Sequence, residues 1–322
     1  MGFLFENVLD VMKMINIFKT TQYGLKEIID FEQDIWINVS KPNQEELQKL
    51  VEKLKIPSDF LTDPLDPNET SRVEVENNFT LIVLRIPRFD GGSIDNPFTT
   101  LPVGIILTKD SIITVCSEHV ELITDFINGK VKSFSVKDRA RFILQMFTRT
   151  ALGYLKYLKE IQKTISIVQR EIHKTMRNEE LIKLMNMENS LVYFTTSLRS
   201  NELMIERLQK MKTFIGTFDE DLLEDVIVDN KQAIEMANVY SNILSGMMDS
   251  FASIISNNLN TVMKFLTSVT IILMLPTLIA SIYGMNVELP FQNSSHAFFL
   301  TIGISLVLSI IGIIIFINKK WF

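Results

Sequence analysis

Seven side chains at helical spacing would give one helix a polar and thioether face: Asn260, Met263, Thr267, Thr270, Met274, Thr277 and Ser281. At about 100° per residue they fall within an arc of about 80–100°, with Ile, Leu, Val and Phe opposite. Repeated around a symmetry axis, that face would line a narrow channel. The same stripe would also arise if Ser and Thr bonded their own backbone or joined neighbouring helices. It runs into Tyr283-Gly284-Met285-Asn286, which opens a loop whose only acid is Glu288. Turnover chemistry is not expected. The sequence holds no Walker loop, no Gly-x-Gly-x-x-Gly, no His-Glu-x-x-His and no nucleophile elbow. An enzyme is therefore the weakest reading, and ATP-driven pumping is not expected. The histidines, His119, His173 and His296, form no soft-metal pattern.

The elements that must position these groups are two apolar spans. No charged residue occurs from Phe265 to Val287 or from Leu289 to Asn318. Each stretch exceeds the roughly 20 residues a helix needs to cross ~30 Å of hydrocarbon. Lys264 precedes the first span, Lys319 and Lys320 follow the second, and the intervening loop has no Lys or Arg. The positive-inside rule therefore predicts an external loop with both termini cytoplasmic, in a cell membrane. The opening Met-Gly-Phe-Leu-Phe-Glu lacks the cationic flank of a secretory signal. A single cysteine, Cys116, rules out an intramolecular disulfide framework and fits a reducing compartment.

Upstream of the spans the composition is that of a charged soluble protein. Only Lys264, Lys319 and Lys320 among 32 bases and Glu288 among 38 acids lie after residue 260, which leaves 29 bases against 37 acids, a net −8. Nucleic acid is not an expected partner. Residues 1–135 predict an α/β domain, with strands at 35–39, 72–76, 79–86, 103–108 and 111–116 and helices at 44–54 and 118–127. From Val103 to Leu275 there is no proline, a sign of long helices. Breaks at Arg177-Asn178 and Gly216-Thr217 place these helices near 138–175, 179–213 and 219–283, the last continuing into the first span. The expected order is thus a cytoplasmic α/β domain (1–135), cytoplasmic long helices (136–218), a stalk helix (219–262), transmembrane helix 1 (263–284), an external loop (285–296), transmembrane helix 2 (297–318) and a basic tail (319–322).

Two helices cannot enclose a water-filled path, so a pore would need several copies around one axis. Gly284-Met285-Asn286 at the outer end of the first of two terminal spans resembles the signature of the CorA family of divalent-cation channels. The surrounding residues Asn260 to Thr267, Met274, Pro276 and Thr277 and the basic tail support the likeness. The resemblance implies a funnel-shaped homopentamer whose first span lines the pore while the second faces lipid. It implies that Asn286 forms an amide ring at the outer mouth, with Gly284 and Met285 shaping the turn. It further implies that Thr277, Met274, Leu266, Met263 and Asn260 face the pore, with Met263 and Leu266 in a hydrophobic gate. Thr270 joins them from the stripe alone. Mg²⁺ sheds its water shell reluctantly, and neutral oxygens can bind that shell without stripping it. Glu288 concentrates cations at the mouth through its field, or is an incidental loop acid. Lys319 and Lys320 resemble an inner basic ring, although topology alone explains them.

The resemblance also implies closure by intracellular Mg²⁺ held between cytoplasmic domains. Asp225 matches the family's stalk aspartate by position, and Asp90 is its candidate partner from the adjacent subunit. A solvated helix acid and a turn-forming Asp are the plainer readings of the two. The helix at 156–177 departs from acid-rich relatives: Glu160 and Glu171 face Lys156, Lys159, Lys163, Arg170, Lys174 and Arg177. Altered regulation follows from that. Mg²⁺ is the expected cargo and regulator, with Co²⁺ or Ni²⁺ as further cargo and no organic cofactor. The alternatives are a zinc transporter of the ZntB branch and a membrane-anchored coiled-coil tether without transport.

Overall fold

A computed structural model describes residues 15–22, 24–91, 96–171, 178–211, 214, 216–290, 295–319 and 321. The chain divides into two compact units, residues 1–245 and 246–322.

The first unit is built on a seven-stranded sheet: β1 (Ile15–Thr21), β2 (Gly24–Ile28), β3 (Ile35–Ser40), β4 (Arg72–Glu76), β5 (Phe79–Phe89), β6 (Phe98–Leu107) and β7 (Ser111–Cys116). Their order is β2-β1-β3-β7-β6-β5-β4. Among the described residues only β3 and β7 pair in parallel, with Ile35 opposite Ser111 and Ser40 opposite Cys116. Both are buried at every position, as central strands covered on two faces must be. Helices α1 (Gln44–Leu54), α2 (Ser58–Thr62) and α3 (Glu121–Ile127) flank the sheet. The start of α1 is fixed by a reciprocal cap: the Asn43 side chain accepts from the Glu46 amide at 2.9 Å, and the Glu46 carboxylate accepts from the Asn43 amide at 2.9 Å.

Alternation along β3 sends its side chains to two cores. Trp36 goes to one face, where the rings of Phe18, Phe126, Phe134 and Phe142 lie 5.2, 6.2, 5.9 and 5.7 Å from it. Ile35, Ile37 and Val39 go to the other, against Leu50, Phe60 and Leu61. Helices α4 (Arg139–Glu171) and α5 (Asn178–Lys210) pack on β5 and β6. The Asn201 side chain on α5 docks there, accepting from the Arg85 amide at 3.2 Å and donating to the Arg85 carbonyl at 2.8 Å. Helix α6 (Glu220–Tyr283) starts in this unit and runs into the second.

The second unit holds the rest of α6 and α7 (Ala297–Asn318). Both helices are long and apolar enough to cross a membrane. No side chain of α7 is buried. In water so much exposed Ile, Leu and Phe would be strongly unfavourable; in hydrocarbon it costs nothing.

The expected α/β domain, long helices and two terminal apolar helices are all present. Strands β1 and β2 and the short α2 were not anticipated, and β5 and β6 are longer than expected. The polar β1–β2 hairpin carries Lys19, Thr20, Thr21, Lys26 and Glu27, so it shows no apolar alternation. Its place at the sheet edge, with Lys19 opposite Lys26, tolerates that.

Candidate functional site: the polar face of the first span

Within the second unit, α7 approaches α6 along the side that carries Ile272 and Leu275. A Cβ built on Gly312 would lie 3.5 Å from Leu275 Cδ1 and 3.8 Å from Ile272 Cγ1, so the helices approach closely there. Ser268 on the same side is fully buried and donates its hydroxyl to the Lys264 carbonyl at 2.7 Å. The polar stripe centres roughly 140° around the helix from Ser268, Ile272, Leu275 and Ile279. Asn260, Thr267, Thr270, Thr277 and Ser281 are all exposed, and Met263, Leu266 and Met274 are each 64% exposed. Sequence reasoning found the stripe but not its backing. The small residues Ser268 and Gly312 were the available signal.

Thr270 donates to the Leu266 carbonyl at 2.8 Å and Thr277 to the Leu273 carbonyl at 3.2 Å. Each hydroxyl proton is thereby spent inside the helix, and the oxygen's other lone pairs face outward as acceptors. A hydrated cation presents water hydrogens on its outer surface. Outward acceptors suit that shell, so backbone bonding complements the cation reading instead of replacing it.

At its C-terminal end α6 stops at Tyr283. The Gly284 amide donates to the Ala280 carbonyl at 2.9 Å and the Met285 amide to the Ile282 carbonyl at 3.2 Å. A Cβ on Gly284 would stand 3.2 Å from the Ala280 carbonyl oxygen, tighter than an ordinary contact. Met285, Asn286 and Glu288 are exposed. His296 ends the loop, with Nδ1 3.0 Å from the Ser295 hydroxyl. At the other end of the unit Lys319 caps α7 through its amide, 3.0 Å from the Ile315 carbonyl, and is exposed. Lys320 lies outside the described residues, as do His173 and the Arg177 break.

The candidate regulatory acids have different surroundings. Asp90 follows β5 and is engaged within its own chain: Oδ1 pairs with Arg88 Nε at 2.5 Å and Oδ2 accepts from the Thr99 hydroxyl. Arg88 also reaches Glu118 at 2.8 Å. Arg88 is a counter-charge that the sequence reading missed; an ion bound by Asp90 would have to displace it. Asp225 is exposed on α6, one turn before Asp229. Burial raises the Asp229 pKa, and the charge of Asp225 adds to it. Among the described residues no group of three or more His, Cys, Asp or Glu could hold a metal.

Fold and site together define a class: a protein whose α/β domain and long helices precede a pair of apolar helices, the first with one polar face. Residues 31–320 match the family described as CorA-like Mg²⁺ transporter protein, and the chain belongs to that family. It is 30% identical to the cobalt/magnesium transport protein CorA of Methanocaldococcus jannaschii over 302 residues, covering 89% of this chain and 91% of that one. It is 24% identical to the protein of the same name from Thermotoga maritima over 314 residues, covering 94% and 88%. The complete structure of the CorA magnesium transporter from Methanocaldococcus jannaschii superimposes with a TM-score of 0.82 at 26% identity, covering 97% of this chain and all of that one.

Proposed function

We propose that several copies of this chain, five by the family's pattern, form a membrane channel that admits Mg²⁺ as its substrate down the electrochemical gradient. Co²⁺ is a second cargo and Ni²⁺ a third. One observation carries the reading: α7 backs α6 on the face away from the stripe, so hydroxyls, thioethers and amides stay uncovered on an otherwise apolar span. Exposed to lipid, the outward lone pairs of these groups would find no donor; gathered around an axis, they line a wet path.

In this reading Asn286, Gly284 and Met285 form the outer filter, where amide oxygens accept hydrogen bonds from the ion's first water shell. Thr277, Met274 and Thr270 continue the path. Met263 and Leu266 form an apolar constriction that closes by dewetting, and Asn260 marks its inner end. Glu288 raises the local cation concentration, and Lys319 and Lys320 hold the termini on the cytoplasmic side. Asp225, with Asp229 one turn on, is the regulatory acid that intracellular Mg²⁺ relieves of like-charge repulsion. Asp90 contributes only when Arg88 moves aside.

The test is uptake by liposomes carrying the purified protein, with Mg²⁺, Co²⁺, Ni²⁺ and Zn²⁺ in direct competition. The reading expects Mg²⁺ entry that Co²⁺ inhibits and Zn²⁺ leaves nearly unchanged. Preferential Zn²⁺ entry would move the chain to the zinc branch, and absence of flux for every ion would leave only an anchored tether.

A further inference from the structure

Arg85 on β5 carries a positive charge that the site above does not use. Its Nε donates to the Thr100 hydroxyl and one terminal nitrogen to the Thr100 carbonyl, each at 3.0 Å. The other terminal nitrogen donates to the carbonyls of Pro67, at 3.0 Å, and Glu69. All four acceptors are neutral. Among the described residues no carboxylate lies within ion-pair distance of Arg85; the Glu69 carboxylate is taken by Arg72. Burial depresses the Arg85 pKa, outweighing the opposing effects of Tyr154, Glu69 and Asp66.

Arg85 opens onto a cavity of about 310 Å³ between the sheet and α5. Four hydroxyl residues of α5 line it, Tyr193, Thr196, Ser197 and Ser200, and Thr70 stands across from them. Ser197 is partly committed, lying 3.0 Å from the Thr100 hydroxyl. Among the described residues no acid and no second base lines the space. A guanidinium with neutral partners beside a wall of hydroxyl donors lacks one thing, a counter-anion. We propose that this cavity binds a small tetrahedral oxyanion of the phosphate class, with Arg85 supplying the charge and the α5 hydroxyls the remaining donors. The exposed ring of Tyr193 and the side chain of Val192 leave room for an organic body on the anion. The site lies in the first unit and does not depend on the transport reading.

The experiment is calorimetric titration of the full-length protein in detergent with inorganic phosphate, at constant ionic strength with chloride as the control. Phenyl phosphate forms a second arm, to separate a free anion from the phosphoryl end of a larger molecule. Ser200→Asp places a carboxylate in the cavity and should weaken phosphate binding by about tenfold or more through repulsion and by neutralising Arg85. Thr196→Asp does the same from an exposed position and keeps the test decisive should Ser200→Asp misfold, with circular dichroism reporting the fold. Saturable phosphate binding lost in either folded variant is the expected result. Tighter binding of phenyl phosphate would assign the site to an organic phosphate. Unsaturable heats in the wild type, or equal binding in the folded variants, would overturn the proposal.

Discussion

Neutral oxygens release a divalent ion more readily than carboxylates do, and the residues of the proposed filter are all neutral. That makes Asn286→Asp informative. A ring of carboxylates should bind Mg²⁺ more tightly and pass it more slowly, so the half-saturating Mg²⁺ concentration for liposome uptake is expected to fall together with maximal flux. A rise in maximal flux would speak against the amide ring. Gly284→Ala acts differently, since the added methyl meets the Ala280 carbonyl oxygen at 3.2 Å and must shift the turn that presents Asn286. It should abolish uptake while the protein remains membrane-inserted. The triplet was legible because it sits between two uncharged spans. Arg88 was not, because its pairing with Asp90 and Glu118 joins residues up to 30 positions apart, and no local spacing announces it.

At the level of elements, the long helices were readable because their sequence lacks proline from Val103 to Leu275. The polar face of α6 was readable because its period is helical. Which face α7 covers was not, since both candidate faces are built from residues tolerated in lipid; only the approach of Gly312 to Leu275 and Ile272 decides it. In the proposed gate, Leu266→Asn replaces an apolar wall with an amide that water can wet. Uptake should rise several-fold at high internal Mg²⁺, where the wild type is expected to be closed; unchanged uptake would remove Leu266 from the constriction. In the sheet, Gly104 on β6 has its place because a Cβ there would lie 2.4 Å from Pro64 Cγ. Gly104→Ala should therefore lower stability by about 1–3 kcal/mol in chemical unfolding of the full-length protein, the usual cost of overpacking. The sheet order itself was hidden in the sequence. A parallel β3–β7 pair closes across about seventy residues, and its continuous apolar runs fit several arrangements equally well.

For the whole molecule, charge is partitioned: acids prevail upstream, while the spans are nearly free of charge. Asp229 shows the cost of that partition. Its pKa is raised by burial and by Asp225, so between the ordinary and the raised value the folded state holds a proton that the unfolded chain has already lost. Stability from this group therefore falls as pH rises from the ordinary aspartate value of 3.8 through the raised one. Asp229→Asn should raise the melting temperature at neutral pH and lose that advantage below the ordinary value. In the proposed assembly Mg²⁺ relieves the same repulsion, so millimolar Mg²⁺ should protect the soluble part from protease, and less so in Asp225→Ala. Equal digestion with and without the ion would remove the sensor.

The central claim is that the stripe on α6 faces a cation path, and cysteine accessibility addresses it directly. The one native thiol, Cys116, is buried and its pKa is pushed up to about 11, so it stays inert to cationic thiol reagents at neutral pH. Met274→Cys and Thr277→Cys on the stripe are to be compared with Ile272→Cys and Leu275→Cys on the face against α7, each assayed for Mg²⁺ uptake before and after a cationic methanethiosulfonate. The account predicts that the reagent blocks uptake in the first pair and spares the second. Block of the second pair with sparing of the first would contradict it.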